Sequence, residues 1–534
     1  MDIEKKLYRA SIALLATIVF AVILRVTPTT VYNQPFSTDV WPLIKVSRTI
    51  VENPEVRIWM DDHFDGYNNR WPGLPISIAI YSLVTGTNVE IIYRYLYVIV
   101  VTSIQILSIY LLMNTVNLRK GVAIAITLYY VSTPSLALFS SSILKEVYAH
   151  VFLYLILLTM VVSIERRRID FATYFILFLL FITISTTHHF TSLLTLEFMI
   201  STILILMIYY IVEKPKKRED VWKGFKLFIS SSSIFAIVFA LYYFIYGGYG
   251  FRYRIAVEDI ALYVFYTLFV YISYALVIQL GIGKTSTLSI TSIVIFMTVA
   301  IIVYSLAYGV TFERIDIVPY IVPLAIPLPL FCFLPKEMDI DRALVLGIAT
   351  ALSINIMYIY FSRPELMEIF HRILNYLPLM SSFLMGYIVS RIRNSILKIF
   401  IFFIVSITVL MNVISVYNIV LGRDRTIFYW IYRESEVHSL NYMYISSIDN
   451  TKILGDAKVF YFMGSRRSVY PLALINYLYT NRSYRDSLVI LYRDNFDKGY
   501  AISLTIHNIK SMVMYINTLN RVYDCRTVLG LLMR

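Results

Sequence analysis

The chain has 534 residues, 58% of them hydrophobic and 15% charged, a balance too apolar for a soluble protein surface. Its formal charge of +13 invites a nucleic-acid partner, but the lysines and arginines fall in short clusters between apolar runs rather than on one basic domain. That distribution excludes a nucleic-acid binder and points to membrane topology, while two cysteines, Cys332 and Cys525, make neither a disulfide framework nor a metal-ligand set.

Met1 to Arg9, with Lys5, Lys6 and Arg9, precedes an apolar segment without a small-x-small cleavage site after it, so the first helix is expected to be a retained anchor. Apolar runs long enough to cross about 30 Å of hydrocarbon recur from Tyr8 to about Val420. The predicted spans are 8–27, 90–113, 120–139, 147–164, 170–187, 190–212, 224–246, 260–281, 286–309, 317–334, 343–361, 373–390 and 398–420, about thirteen in all. Basic residues stay on the cytoplasmic side, which makes Arg119-Lys120, Arg166 to Arg168, Lys214 to Lys226, Lys284, Lys336 to Arg342 and Arg391 to Lys398 the inner loops. The alternation holds only if Gly73 to Thr85 does not cross, so this stretch is expected as an interfacial helix within the outer loop 28–89.

An odd number of crossings sends residues 423–534 outside, apart from the 1–422 multi-helix transmembrane domain. This tail is richer in Asn, Asp, Arg and Ser, and its alternating stretches Lys458 to Met463, Ser487 to Tyr492 and Tyr500 to Ile506 read as strands. Helical stretches around Glu434 to Ile445 and Ile509 to Asn520 complete a small C-terminal α/β extracytoplasmic domain. The fold class is therefore a polytopic α-helical membrane protein with that domain at its end.

Acidic residues crowd the first outer loop: Asp39, then Asp61, Asp62 and Asp65. A carboxylate beside apolar membrane surface loses hydration, its proton affinity rises, and it becomes a candidate general base. Asp39, shortly beyond the first span, is the first choice. Alternatively Asp39, Asp61 and Asp62 share a divalent cation, or the acids are solvated loop residues and helix caps.

At the outer junction of the third and fourth spans, Ser140 to Ser142 lead to Lys145 and Glu146. Glu146 can face the Asp39 loop; Lys145 can neutralise a phosphate or snorkel to the interface. His188 and His189, on the same side, can bind phosphate, share a metal or cap a helix end, although a pair without spaced partners is weak metal evidence. Glu313-Arg314 opens the tenth span, where a guanidinium suits a lipid phosphate, or an ion pair between helices. Gly281 to Thr285 fails as a phosphate loop, because the pattern needs Gly where Ile278 stands and no strand precedes it.

The order of these parts resembles the membrane glycosyltransferases of the GT-C superfamily, in particular the protein O-mannosyltransferase and aminoarabinose-transferase branch and its archaeal relatives. In that family a first helix leads to an outer loop with an early acidic residue, matched by Asp39, and then to a Pro-rich entry into an amphipathic helix ending in Gly, matched by Trp71 to Pro75 and Gly86. An Arg opening the second span, a basic inner turn, and a third span ending in Pro and small polar residues before an acid follow. Arg94, Arg119-Lys120, Pro134, Ser140 to Ser142 and Glu146 take those places. Two features depart from it: Val40 stands where the mannosyltransferase branch has Glu after its Asp, and the Trp-Trp-Asp signature of oligosaccharyltransferases is absent.

The resemblance implies a sugar carried on polyprenyl or dolichyl phosphate and transferred at the outer membrane face to a protein, lipid or glycan acceptor, with Asp39 as base and Glu146 beside it. Lys145, Arg314, His188 and His189 are then the candidate contacts to the donor phosphate, and Asp61, Asp62 and Asp65 a supporting acidic loop. Two other classes remain open. A transporter or lipid flippase would use Pro319, Pro323, Pro327 and Pro329 to break the tenth span near the midplane, and an inactive relative would serve as an assembly partner.

Overall fold

The protein is described by a computed structural model over residues 2–115, 118–213, 218–250, 256–279, 340–363, 372–373, 375–392, 395–421, 428–446, 451–464, 469–480, 486–502, 505–509, 516, 519–525 and 527–533. Among these residues seven helices are long and apolar enough to cross a bilayer: Ala10–Tyr32, Val89–Thr115, Lys145–Glu165, His189–Ile211, Val221–Ile245, Ile340–Ile359 and Ile401–Asn418. Helices satisfy all their backbone groups internally, which hydrocarbon demands, and the fold is a multi-pass membrane bundle. The predicted spans 286–309 and 317–334, with Lys284, Arg314, Cys332 and the four prolines, lie outside the described residues.

In chain order, α1 (Asp2–Tyr32) turns into α2 (Val40–Glu52) and α3 (Gly73–Thr85), and α4 (Val89–Thr115) follows with a π turn at Ile92–Leu96. Then come α5 (Lys120–Ser132), α6 (Pro134–Phe139), α7 (Lys145–Glu165), α8 (Phe171–Thr187), α9 (His189–Glu213), α10 (Arg218–Ile245) and α11 (Val257–Gln279). The bundle ends with α12 (Ile340–Ser362), α13 (Leu377–Arg391) and α14 (Ser395–Val420). With 13 residues, α3 is about 20 Å long at about 1.5 Å per residue, well short of a hydrocarbon layer. Large apolar side chains face outward, among them Phe171 and Phe175 on α8 and Ile396, Ile399 and Phe402 on α14, as lipid contact requires. Inside, α9 packs along α12 so closely that a side chain at Gly347 would come within 2.8 Å of the Thr202 nitrogen.

The third predicted span, 120–139, is two helices rather than one. Thr133 leaves the helical region (φ −53°, ψ 123°) and Pro134 starts α6, because proline has no N–H to continue the ladder. The carbonyl of Val131 released at this break is taken up by Arg25 of α1, whose Nη2 donates to it at 3.1 Å while Nε donates to Ser140 Oγ at 2.6 Å. A buried cation at two helix C-termini satisfies an open carbonyl of α5 and ties the hydroxyl that ends α6 to α1.

In the tail lie α15 (Glu434–Ser446), β1 (Lys452–Gly455), α16 (Ala457–Met463), α17 (Pro471–Thr480), β2 (Ser487–Tyr492), α18 (Arg493–Asp497), β3 (Tyr500–Ile502), β4 (Thr505–His507), β5 (Asn520–Asp524) and β6 (Val528–Met533). One sheet has the order β1-β2-β6-β5, with β1 parallel to β2 and the other pairs antiparallel; β3 and β4 pair separately. Strand β2 is buried along its whole length, which its continuous apolar run permits. The stretch Lys458 to Met463, expected as a strand, is helical. Asp456 caps it by accepting a hydrogen bond from the Val459 N–H at 3.2 Å, a start signal that outweighs a short apolar run fitting either period. The helix expected around Ile509 to Asn520 falls largely outside the described residues, and Asn520 itself opens β5.

The tail shares a core with the helices. Trp41 of α2 packs edge-on against Phe462 (ring centroids 4.7 Å apart) and Tyr432 (5.5 Å), and Leu74, Tyr93 and Val147 extend the same cluster. α16 is thereby held over the N-terminal end of α2.

Candidate active site

A cavity of about 1220 Å³ lies where α2, the loop before α3, the starts of α7 and α9, Arg372 and the tail helix α16 converge. Asp39, Asp65, Lys145, Glu146, His188 and His189, six of the residues singled out in the sequence, line it together. Chain distances between them are large, and the bundle closes them by ending α1, α6 and α8 at one level.

Asp39 immediately precedes α2, but its carboxylate caps none of that helix's N–H groups, so the bland role of helix cap does not apply. It is half-buried and shares the cavity with Tyr461 of α16. Burial pushes its carboxyl above the usual carboxylate range, against the opposing pull of Arg372, Tyr461 and Lys145.

Lys145 opens α7 and is buried, with its Nζ 3.9 Å from the centre of the Tyr67 ring and no hydrogen-bond partner for the ammonium among the described residues. A buried ammonium without an acceptor is expensive, and the cavity in front of it is where an anion would satisfy it. Next to it, Glu146 is 2% exposed; its Oε1 accepts from Asn375 Nδ2 at 3.2 Å and its Oε2 lies 3.6 Å from Arg372 Nη1.

His188 breaks the chain between α8 and α9 in an extended conformation (φ −155°, ψ 116°). A guanidinium has only donors, so Arg372 Nη1, 3.2 Å away, must donate to His188 Nε2. Its Nδ1 lies 2.8 Å from Thr191 Oγ1 and 3.3 Å from the Thr191 backbone nitrogen, and Thr191 Oγ1 in turn lies 2.7 Å from the Tyr376 hydroxyl. His189 packs at a tilt against Trp71 (ring centroids 5.0 Å apart), whose position depends on the glycine two residues later. A Cβ at Gly73 would lie 3.1 Å from Thr187 Cα, so only glycine lets α3 start against the end of α8.

Two of the other acids between α2 and α3 are already engaged. Asp65 accepts from the backbone N–H of Tyr67 (3.0 Å) and Asn68 (2.6 Å) and from Asn68 Nδ2, which makes it the pivot of a turn. Asp61 pairs with Arg70 and accepts from Asn69 Nδ2 at 2.6 Å, and the Arg70 guanidinium holds its carboxyl below the usual range. Arg70 also covers the Tyr246 ring at 4.7 Å, clasping the loop to the end of α10. Asp62 is exposed and does not line the cavity. Among the described residues no group of three or more His, Cys, Asp or Glu is arranged to hold a metal, and Asp39, Asp61 and Asp62 are not brought together into one.

Arg372, Tyr67, Asn375 and Tyr461 complete the site and were not singled out in the sequence. Arg372 carried a usable signal: it sits just before the predicted span 373–390 on the outer side, the same placement that marked Arg314. Tyr461 carried none, since nothing in the tail's pattern links it to Asp39.

No protein-family model matches the chain, and no curated protein matches it. Solved structures similar to it include the Archaeoglobus fulgidus oligosaccharyltransferase in complex with Zn and sulfate, at 11% identity and a TM-score of 0.47 over 85% of this chain and 62% of that one. The archaeal oligosaccharyltransferase AglB from the same organism, in complex with an inhibitory peptide and a dolichol-phosphate, gives 10% identity and a TM-score of 0.46 over 86% and 64%. ArnT from Cupriavidus metallidurans bound to undecaprenyl phosphate gives 12% and 0.38 over 97% of each chain. The chain thus spans less than two thirds of the length of the oligosaccharyltransferase chains in these two complexes. Likenesses this distant leave the chemistry to be argued from the residues themselves.

Proposed function

We propose that the chain is a glycosyltransferase that moves a sugar from a polyprenyl- or dolichyl-phosphate donor to a hydroxyl of a protein, lipid or glycan acceptor. The reaction takes place at the outer face of the plasma membrane, with the N-terminus cytoplasmic and the tail outside. The observation that carries this reading is the buried Lys145 ammonium, without a hydrogen-bond partner among the described residues, sharing a cavity with the half-buried Asp39 carboxylate at the ends of membrane helices. A lipid-borne phosphate needs a cation at such a level, and the acceptor needs a base.

Asp39 takes the proton of the acceptor hydroxyl, the oxygen forms a bond to the anomeric carbon, and the bond from that carbon to the phosphate oxygen breaks. The electron pair leaves on the phosphate, whose charge Lys145 and Arg372 neutralise. Burial makes Asp39 a stronger base than a solvated aspartate. Glu146, itself held by Asn375, and His188 hold the Arg372 fork in place.

A transporter reading draws on Glu197 of α9, which accepts from Asn355 Nδ2 of α12 at a buried interhelical contact that also includes Tyr263 of α11. Three helices tied by one acid are as well suited to a clamp as to a transport site. Purified Asp39→Asn protein supplied with a lipid-linked sugar tests the leading reading: transfer should be lost while the lipid still binds. Undiminished transfer would remove Asp39 from the mechanism, and solute uptake by proteoliposomes without sugar transfer would establish the rival.

A further inference from the structure

His150 lies one turn below Glu146 on the same face of α7, fully buried, and neither ring nitrogen has a hydrogen-bond partner among the described residues. Buried imidazoles are normally paired through at least one nitrogen, so this one calls for an explanation. Its Nε2 is 3.9 Å from Glu146 Oε1, just beyond hydrogen-bond reach. The rest of its surroundings is aromatic: the Tyr376 ring edge-on with centroids 4.6 Å apart, and the Tyr154 ring at 5.9 Å. Tyr154 in turn shares its hydroxyl with Tyr130. The charged and polar groups on the cavity side of the pair are Arg372, Asn375, Lys145 and Asp39.

We propose that His150 is the positioning residue for Glu146, an inference that rests on the glycosyltransferase reading. When substrate fills the cavity, the Nε2–H closes the gap and donates to Oε1. Glu146 is then held by Asn375 and His150 through one oxygen, and its other oxygen, which has no hydrogen bond among the described residues, is turned to Arg372 and the substrate. Simple packing would explain a buried side chain of this size at a helix interface, but not the choice of one with two polar atoms left unsatisfied. Any apolar ring would fill the same space.

The test compares His150→Phe, which keeps the ring volume, with His150→Gln, whose amide can donate from a position close to that of Nε2. With purified protein and a short-chain polyprenyl-phosphate sugar, His150→Phe should lower kcat about ten- to a hundredfold with KM for the donor unchanged, the size of a lost hydrogen bond to a charged group. His150→Gln should recover most of the rate. In a Glu146→Gln background His150→Phe should have no further effect, since the histidine acts only through that carboxylate. Donor-lipid binding by each variant checks that it is folded. Equal loss in both histidine variants, or an undiminished rate in His150→Phe, would overturn the inference and leave the glycosyltransferase reading standing. A wild-type protein that transfers no sugar would remove both.

Discussion

Replacing Lys145 by methionine separates ligand binding from folding. The methionine keeps the length of the stem along the Tyr67 ring and removes only the ammonium. A hydrogen bond to a charged group contributes about 1.5–3 kcal/mol. At about 1.4 kcal/mol per tenfold, affinity for a short-chain polyprenyl phosphate in detergent should therefore fall roughly ten- to hundredfold. The stability of the ligand-free protein should move far less. An ammonium that is 6% exposed and lacks an acceptor among the described residues costs about 1–3 kcal/mol to leave unsatisfied, while its position 3.9 Å from the Tyr67 ring returns about 0.5–2 kcal/mol. These terms nearly cancel, so the midpoint of thermal unfolding should shift by less than about 4 °C. Titration with the lipid phosphate and a thermal scan of the same preparation decide the matter. Affinity within twofold of wild type, or a loss of stability much beyond that range, would mean that Lys145 is a structural cation and not a phosphate contact.

Arg372→Lys should lower kcat/KM by at least about tenfold although the charge is kept, because a lysine cannot reach His188 Nε2 and the Glu146 carboxylate with one planar fork; steady-state kinetics read it directly. Trp41→Ala should cost about 3–5 kcal/mol of local stability and loosen the tail, since Trp41 is the ring on which Tyr432 and Phe462 converge. Limited proteolysis should then cut more readily after residue 428. The pH dependence follows from the upward shift at Asp39. Catalysis needs its ionised form, so the acid limb of kcat/KM should lie above the ordinary carboxylate range. For stability the sign is opposite: the protonated form is favoured in the fold, so this contribution is fully present below the ordinary carboxylate pKa and is lost as pH rises through the raised one. Asp39→Asn should accordingly raise the unfolding midpoint at pH 7, and a midpoint that falls would refute the burial argument.

Much of the helical framework was legible because membrane spans are written in long apolar runs, and α1, α4, α7 and α9 needed no tertiary information. What escaped was decided by single residues acting across the fold. The break at Thr133 was announced by Pro134, yet the pairing that stabilises it, Arg25 on the Val131 carbonyl, joins residues 106 positions apart. Lys458 to Met463 reads as a strand from its short apolar run, and the structure makes it a helix because Asp456 caps its start. In the site, Asp39, Lys145, Glu146 and His188 were visible as ionisable groups near span ends, whereas Asp61 and Asp65 gave the same signal but are held by Arg70 and by a turn. Sequence marks where charges stand. It does not mark which of them have partners.

The turn that presents Asp39 is where the two halves of the molecule depend on each other. Ser37 holds a left-handed conformation, φ +81°, in a stretch from Gln34 to Thr38 that is almost wholly buried. A non-glycine residue there costs about 1–3 kcal/mol and persists only if its surroundings impose it. The surroundings come from the tail: the Ser37 N–H donates to the Trp430 carbonyl at 3.0 Å, and Phe36 packs edge-on against the Trp430 ring, centroids 6.1 Å apart. Tyr461, from the same tail, lines the cavity with Asp39. The tail therefore sets the backbone that aims Asp39 and places a hydroxyl in the same cavity, so it is built into the site and is more than a cover over it. A chain carrying every cavity-lining residue of the helices but lacking residues after 428 would present Asp39 in a relaxed turn, facing neither Lys145 nor an acceptor.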